Sequence, residues 1–403
     1  MFKWQLINDS ITQEDKQQLI DYISIDNARF TQGSKVKEFE NVWSEWLGVK
    51  HSVFVNSGAS ANYIMVSILK ELKGTGEVIV PTLGWVSDVS PIVNLGLKPV
   101  FVDVTLETFS TDLEKIKPLV NENTIGVTLV HCLGFNAIAD ELVNYCKDND
   151  LFLIEDCCES HGATYKGKKI GTFGDVSNFS FYFGHHMTTI EGGMVCTNDD
   201  EIFQYAKMFR SHGMTRLDYL QSDELGVKLQ KKYETLYPDL NPLFTFAVPG
   251  YNVRNQELNA TLGLSQIKRL DYNIGKRVDN LYIWLDGLNS SLFKTDYKTD
   301  GNSNFALPLI VLNNDKDRFI RVCQILDRNQ VEYRVGTAGG GNQARQPYLS
   351  KCDYKIAEEL INANYIHDFG LYVGNHPELD KEEIVNLCDK LNALSGKELG
   401  FKI

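Results

Sequence analysis

The chain has 403 residues, 43% of them hydrophobic, and a net charge of -13; this builds a large globular core and gives no electrostatic footing for a nucleic-acid binder. No run of about 18 apolar residues offers a membrane span, and the opening MFKWQLINDSITQED turns polar too early for a secretion signal. A cytoplasmic protein of two closely packed domains is therefore expected.

In chain order, SKVKEFENVWSEWL places Val36, Phe39, Val42, Trp43, Trp46 and Leu47 at helical spacing, which predicts an amphipathic helix lying on a sheet. The apolar runs HSVFVNS, GEVIVP, KPVFVDV, TIGVTLVH and LFLIEDCC then recur between helical patterns. That alternation predicts βα units around a mainly parallel, buried sheet. From about residue 257, ELNATLGLSQIKRLDYNIGKRVDNLYIWLDGLN has few breakers and predicts long helices bridging to a second unit. The expected division is a large domain over 1–270 and a smaller α+β domain over 271–403. In the latter, NFALPLIVL and VEYRVG read as strands and KEEIVNLCDKLNALS as a closing helix.

Eight cysteines lie scattered, with no CxxC and one adjacent pair, Cys157 and Cys158. Reduced thiols are expected, not a disulfide framework, and the spacing fails the patterns of zinc and iron-sulfur sites, so no metal is expected.

Four segments carry groups with chemical potential. VNSGASAN is a strand followed by small residues opening a helix; Gly58 and Ala59 there make either an ordinary capped turn or an anion seat at a helix N-terminus. Trp85 follows a strand in a loop broken by Pro and Gly, as a core residue or as a plate for a flat ring. LIEDCCES ends a strand in Glu155 and Asp156, at the sheet edge where ligands of open α/β folds gather. Asp156 either caps a turn or holds a cationic ring nitrogen. In SFYFGHHMTTIEGG, His185 and His186 stand adjacent with no lysine in the block; an imidazole moves protons near neutral pH but can also be a satisfied structural residue.

These segments occur in one order, and with TQGSKVKEFENVWSEWLGVKHSVFVNSGAS and PGYNVRNQELNATLGLSQIKRLD the chain resembles, nearly end to end, the DegT/DnrJ/EryC1/StrS family of sugar enzymes dependent on pyridoxal 5′-phosphate (PLP). The resemblance implies the type I PLP-dependent transferase (aspartate aminotransferase-like) fold: α/β, with a mainly parallel seven-stranded sheet and a smaller C-terminal α+β domain. By matching position it implies Asp156 as partner of the pyridine nitrogen and Trp85 as the stacking ring. Gly58, Ala59 and Ser180 fall on phosphate positions, and Asn252 on the residue that reaches the neighbouring subunit's phosphate. A homodimer with shared active sites follows. Glu159 falls where the family commonly has Gln near a cofactor oxygen.

The lysine that bonds PLP covalently in this family, in a block like SFHxxKxxTxGEGG, falls on His185. That exchange is similar to the family's 3-dehydratase branch and implies His185 as the catalytic base. The implied reaction uses glutamate to make pyridoxamine 5′-phosphate, then removes the C3 hydroxyl of a nucleotide-linked 4-keto-6-deoxy sugar. It releases ammonia and a 3-deoxy-4-keto sugar for deoxysugar and polysaccharide synthesis. GDP-4-keto-6-deoxymannose is the first choice, with CDP-linked or heptose sugars and a nucleotide-sugar aminotransferase as alternatives. Arg334 and Arg345, in RVGTAGGGNQARQPYLS, are candidates for the nucleotide sugar's diphosphate, as against a solvated glycine-rich loop, and His186 is a further substrate-side candidate.

Overall fold

The computed structural model describes residues 2–216, 224–356 and 359–395. Helices α1 (Gln13–Ile23) and α2 (Ser34–Leu47) precede the first strand, and α2 buries Val36, Phe39, Trp43 and Leu47 as its spacing predicts. The βα run that follows comprises β1 (His51–Val55), α3 (Gly58–Lys73), β2 (Glu77–Pro81), α4 (Val86–Asn94), β3 (Lys98–Val102), α5 (Leu113–Ile116), β4 (Thr124–Val130), α6 (Asp140–Asp148) and β5 (Phe152–Asp156). A short hairpin, β6 (Thr164–Tyr165) with β7 (Lys168–Lys169), leads to β8 (Val176–Ser180), β9 (Gly193–Thr197), α7 (Asp200–Arg210) and α8 (Glu224–Leu236).

The main sheet has the order β1-β9-β8-β5-β4-β2-β3-β12, where β12 is the two-residue strand Lys355–Ile356. Among its strands β9 alone runs against its neighbours: it is antiparallel to both β8 and β1, while β12, β3, β2, β4, β5 and β8 pair in parallel. Seven strands were expected; β12 adds an eighth at the edge, a pair of residues with no apolar signature. Successive side chains on a strand face opposite ways, and both sets are apolar here. Phe54, Ile79 and Leu153 pack on the α2 side, while Val53, Val55, Val78, Val80, Phe152 and Ile154 pack on the α3 side. Helices on both faces are the direct consequence.

Helices α9 (Glu257–Gln266) and α10 (Leu270–Gly287) lead into a second sheet of β10 (Ala306–Ile310), β13 (Gly370–Gly374) and β11 (Tyr333–Val335), in that antiparallel order. It is packed by α11 (Lys316–Arg328), α12 (Ile361–Phe369) and α13 (Lys381–Asn392). Its core, built from Leu281, Trp284, Leu309 and Val373 among others, also takes in Trp4 and Leu6 from the start of the chain. Trp4 donates its indole N–H to the Gly374 carbonyl at 2.9 Å.

Candidate active site

A cavity of about 300 Å³ opens where the carboxyl ends of β1, β2, β4, β5 and β8 meet the second sheet, the place an open α/β fold leaves for a ligand. Of the residues singled out from sequence, Gly58, Ala59, Trp85, Asp156, Glu159, Ser180, His185 and Arg334 line it. His186, Asn252 and Arg345 do not.

One end of the cavity is an anion seat. Ser57 caps α3 by accepting the Ser60 N–H at 3.0 Å, so Gly58 and Ala59 are the first two helical residues, whose amides have no intrahelical acceptor. A Cβ on Gly58 would lie 2.6 Å from the Ser180 Cβ and 3.0 Å from the Cys158 Sγ. Only glycine lets the helix start this close to β8, and the Ser180 hydroxyl joins the amides as a donor. A dianionic phosphate suits that set of groups.

Asp156 closes the middle. The last residue of β5, it is 5% exposed. Its Oδ1 accepts the Cys158 backbone N–H at 2.9 Å, and its Oδ2 accepts the side-chain amides of Asn62 at 2.8 Å and Asn178 at 3.1 Å. These donors orient the carboxylate but are all neutral. A buried carboxylate wants a cation, and a protonated ring nitrogen meets that need. Trp85, 52% exposed at the start of α4, offers its indole face beside the same space.

His185 sits in the turn after β8, its backbone N–H donating to the Tyr182 carbonyl at 3.0 Å. Its ring packs 5.4 Å from Phe305, centroid to centroid, and its Nδ1 is buried with no partner. Burial pulls the imidazole down to about 4; Asp156 opposes that shift and the Arg277 guanidinium adds to it. His185 is therefore neutral at neutral pH, with a lone pair free to take a proton. His186 does not line the cavity. Its ring is 2% exposed, and its Nε2–H donates to the Ser303 carbonyl at 3.1 Å, which fixes a structural tautomer behind the cavity. No lysine of the described residues lines the cavity. Lys169, the nearest before the block, donates to the Trp46 carbonyl at 2.6 Å, and Lys207, the nearest after it, lies over the Phe203 ring.

Glu159 accepts the Leu133 backbone N–H at 2.8 Å. Burial drives its carboxyl up and the Leu133 bond holds it down; with Asp156 adding to the rise and Arg334 opposing it, the group settles at about 7. Arg334, on β11, stands beside Glu159 and the Tyr372 hydroxyl. Arg345 is instead committed outside the cavity, bidentate to Asp368 at 2.8 and 3.1 Å. Between them the glycine-rich segment packs onto the tryptophan loop: Gln343 donates to the Gly84 carbonyl at 2.9 Å, and a Cβ on Gly339 would strike that same oxygen at 2.5 Å. Asn252 is exposed and bridges to Ser211.

Sequence reasoning missed Asp88, Asn62, Asn178, Phe305 and Tyr372. Asp88 was readable as the acid three residues after the helix-opening Trp85, a capping position. The others reach the site through tertiary contacts that no local pattern announces. A buried trio of His131, Glu155 and Cys157 has metal-ligand character, but Glu155 is already satisfied by the Gly171, Phe173 and Gly174 amides and by His131. That network braces the 171–174 loop.

Residues 9–392 match the DegT/DnrJ/EryC1/StrS aminotransferase family. The chain belongs to that family. The GDP-4-keto-6-deoxy-D-mannose 3-dehydratase of Yersinia pseudotuberculosis is 34% identical over 373 residues, which is 91% of this chain and 93% of that protein. The dTDP-4-dehydro-2,6-dideoxy-D-glucose 3-dehydratase of Saccharopolyspora spinosa is 31% identical over 88% of this chain and 79% of its own length. Among solved structures, the Escherichia coli GDP-4-keto-6-deoxy-D-mannose-3-dehydratase with bound hydrated PLP superposes with a TM-score of 0.86 at 30% identity, covering 97% of this chain and 100% of that one. The fold is therefore the type I PLP-dependent one. The phosphate seat, the cation-seeking carboxylate and the exposed indole fit that cofactor.

Proposed function

We propose that this protein is a PLP-dependent 3-dehydratase of a nucleotide-linked 4-keto-6-deoxy sugar, and the observation that carries the reading is a neutral imidazole, His185, facing a cofactor cavity that no lysine of the described residues lines. Bound there, PLP would take an amino group from glutamate and then act as the electron sink that lets the sugar lose its C3 hydroxyl. Asp156 would hold the ring nitrogen's proton, Trp85 would cover the ring face, and Gly58, Ala59 and Ser180 would bind the phosphate. His185 would remove the proton at the cofactor's C4′ carbon and, as imidazolium, pass a proton to the departing hydroxyl. With burial holding its proton affinity low, the imidazolium is a ready donor.

The missing lysine decides the outcome. No lysine of the described residues is placed to recapture the cofactor covalently, so water would hydrolyse the released sugar enamine, giving ammonia and a 3-deoxy-4-keto sugar. GDP-4-keto-6-deoxymannose is the substrate we favour, from the relatives' names, with Arg334 beside the sugar's diphosphate. Among the described residues no helix is long and apolar enough to cross a membrane, in keeping with a cytoplasmic enzyme. We also propose a homodimer: Asn252 lies away from its own cavity and on the surface, where it would reach the partner's phosphate seat.

The test is a product assay with glutamate and a panel of GDP-, CDP- and dTDP-linked 4-keto-6-deoxy sugars. One ammonia released per 3-deoxy sugar formed supports the reading. An amino sugar retaining the glutamate nitrogen would replace it with an aminotransferase.

A further inference from the structure

A second buried acid stands beside Asp156. Asp88, in the first turn of α4 and 4% exposed, lines the same cavity. Its Oδ2 accepts the Trp85 backbone N–H at 2.9 Å. Its Oδ1 faces the Asn62 side-chain amide, whose nitrogen lies 3.4 Å from it and 2.8 Å from Asp156 Oδ2. One amide nitrogen thus stands against both carboxyl groups, and Asp88 is itself within hydrogen-bonding reach of Asp156.

Among the described residues no lysine or arginine bears on Asp88, and the base that bears on Asp156, the His185 imidazole, is held neutral by burial. The groups bearing on Asp88 are Asp156 and Glu159 from the segment ending and following β5, the Cys158 thiol, the Tyr348 hydroxyl from the 347–351 turn, and the Asn62 amide of α3. All are neutral or acidic. Burial first, and then the Asp156 charge, push Asp88 well above the usual carboxylate range. Two carboxylates this close in a dry site do not both ionise.

We propose that Asp88 and Asp156 share one proton at the floor of the cavity, and that protonated Asp88 is a positioning residue that donates to Asp156 while holding the Trp85 backbone. The two groups assigned to the cofactor ring, the carboxylate for its nitrogen and the indole for its face, are then tied together by one side chain. The role toward the ring rests on the PLP reading above; the shared proton does not.

Two measurements test these parts separately. Urea unfolding of the full chain, stripped of cofactor, is followed from pH 6 to pH 8 for the parent and Asp88→Asn. The folded parent holds a proton its unfolded chain releases, so raising the pH should destabilise the parent relative to the variant about tenfold in the folding constant per pH unit. Glu159 titrates in both proteins and cancels. Parallel pH dependences would overturn the shared proton. PLP affinity, read from its absorption, is then compared for Asp88→Ala and Asp88→Asn. The amide keeps a donor toward Asp156 and an acceptor for Trp85, so it should bind PLP at least about tenfold more tightly than the alanine variant; equal affinities would overturn the positioning role. If the parent itself fails to bind PLP, the cofactor reading and the positioning role fall together, and the unfolding data still decide the shared proton.

Discussion

The two walls of the cavity differ in how they are built. On the main-sheet side Asp156 accepts hydrogen bonds from three donors supplied by α3, β8 and the segment after β5, and Gly58 is pressed against Ser180. On the second-sheet side Arg334 is exposed on a three-residue strand, with Glu159 and Tyr372 as its neighbours. The first wall is fixed by packing before any ligand arrives, as electrostatic catalysis requires. The second keeps its charge where it can meet a variable substrate. If the proposed roles hold, one wall sets the reaction type and the other the substrate choice, and variants on each wall should fail in different ways.

The largest effect is expected at His185. Asn in its place should cut dehydration by about 1000-fold, within the range general acid-base groups supply, while PLP still binds. His186→Asn, behind the cavity on the Ser303 carbonyl, should retain far more activity; equal losses would mean the base is misassigned. His185→Lys should let borohydride fix the cofactor to the chain, which the parent should resist. Asp156→Asn comes next, at about 100-fold in turnover with little change in sugar KM, because it would remove the partner proposed for the ring nitrogen. A rise in KM alone would move Asp156 to the substrate wall.

How much of this contrast was legible in the sequence follows the same division. On the first wall Gly58, Ala59, Trp85 and Asp156 could be singled out, since strand ends, glycines and a tryptophan loop are local patterns fixed by βα connections. The second wall was less legible. Strand β13 (GLYVG) follows the helical INANYIHDF with Gly370 alone as the stop between them and was not anticipated, although it is the central strand of its sheet. Its Tyr372 therefore went unseen. Arg334 and Arg345 could not be told apart from a glycine-rich stretch; the fold separates them by giving Arg345 an acid, Asp368. Asn62 and Asp88 belong to the first wall yet were missed, because a polar residue in a helix becomes significant only once the sheet edge it faces is known.

The proposed dimer would extend the comparison to a third contributor. An inactive His185→Ala chain mixed with an inactive Asn252→Ala chain forms, in a two-fold dimer, hybrids with one intact site each, so random exchange should restore about a quarter of parental activity. No recovery after verified exchange would mean each cavity is built from one chain. On the second wall, Arg334→Ala should raise KM for the nucleotide sugar about tenfold, the scale of one charge-assisted hydrogen bond, with kcat nearly kept. Arg345→Ala should leave KM alone. Equal effects would make the diphosphate site a diffuse surface rather than a single guanidinium.

The smallest effect is expected where the walls meet, at Glu159, and it should show in pH dependence more than in rate. Its folded value of about 7 stands above the ordinary 4.5, so the folded chain holds this proton more tightly than the unfolded one. That contribution is fully present below about 4.5, is lost as pH rises toward 7, and levels off beyond. Glu159→Gln keeps an oxygen to accept the Leu133 N–H and removes the titration. In urea unfolding from pH 4.5 to 8 the variant should therefore gain on the parent up to about pH 7 and hold a constant margin above it. If the two curves instead stay parallel, Glu159 is ionised throughout, and Arg334 faces a fixed negative charge rather than a switchable one. The substrate wall would then be as preset as the cofactor wall.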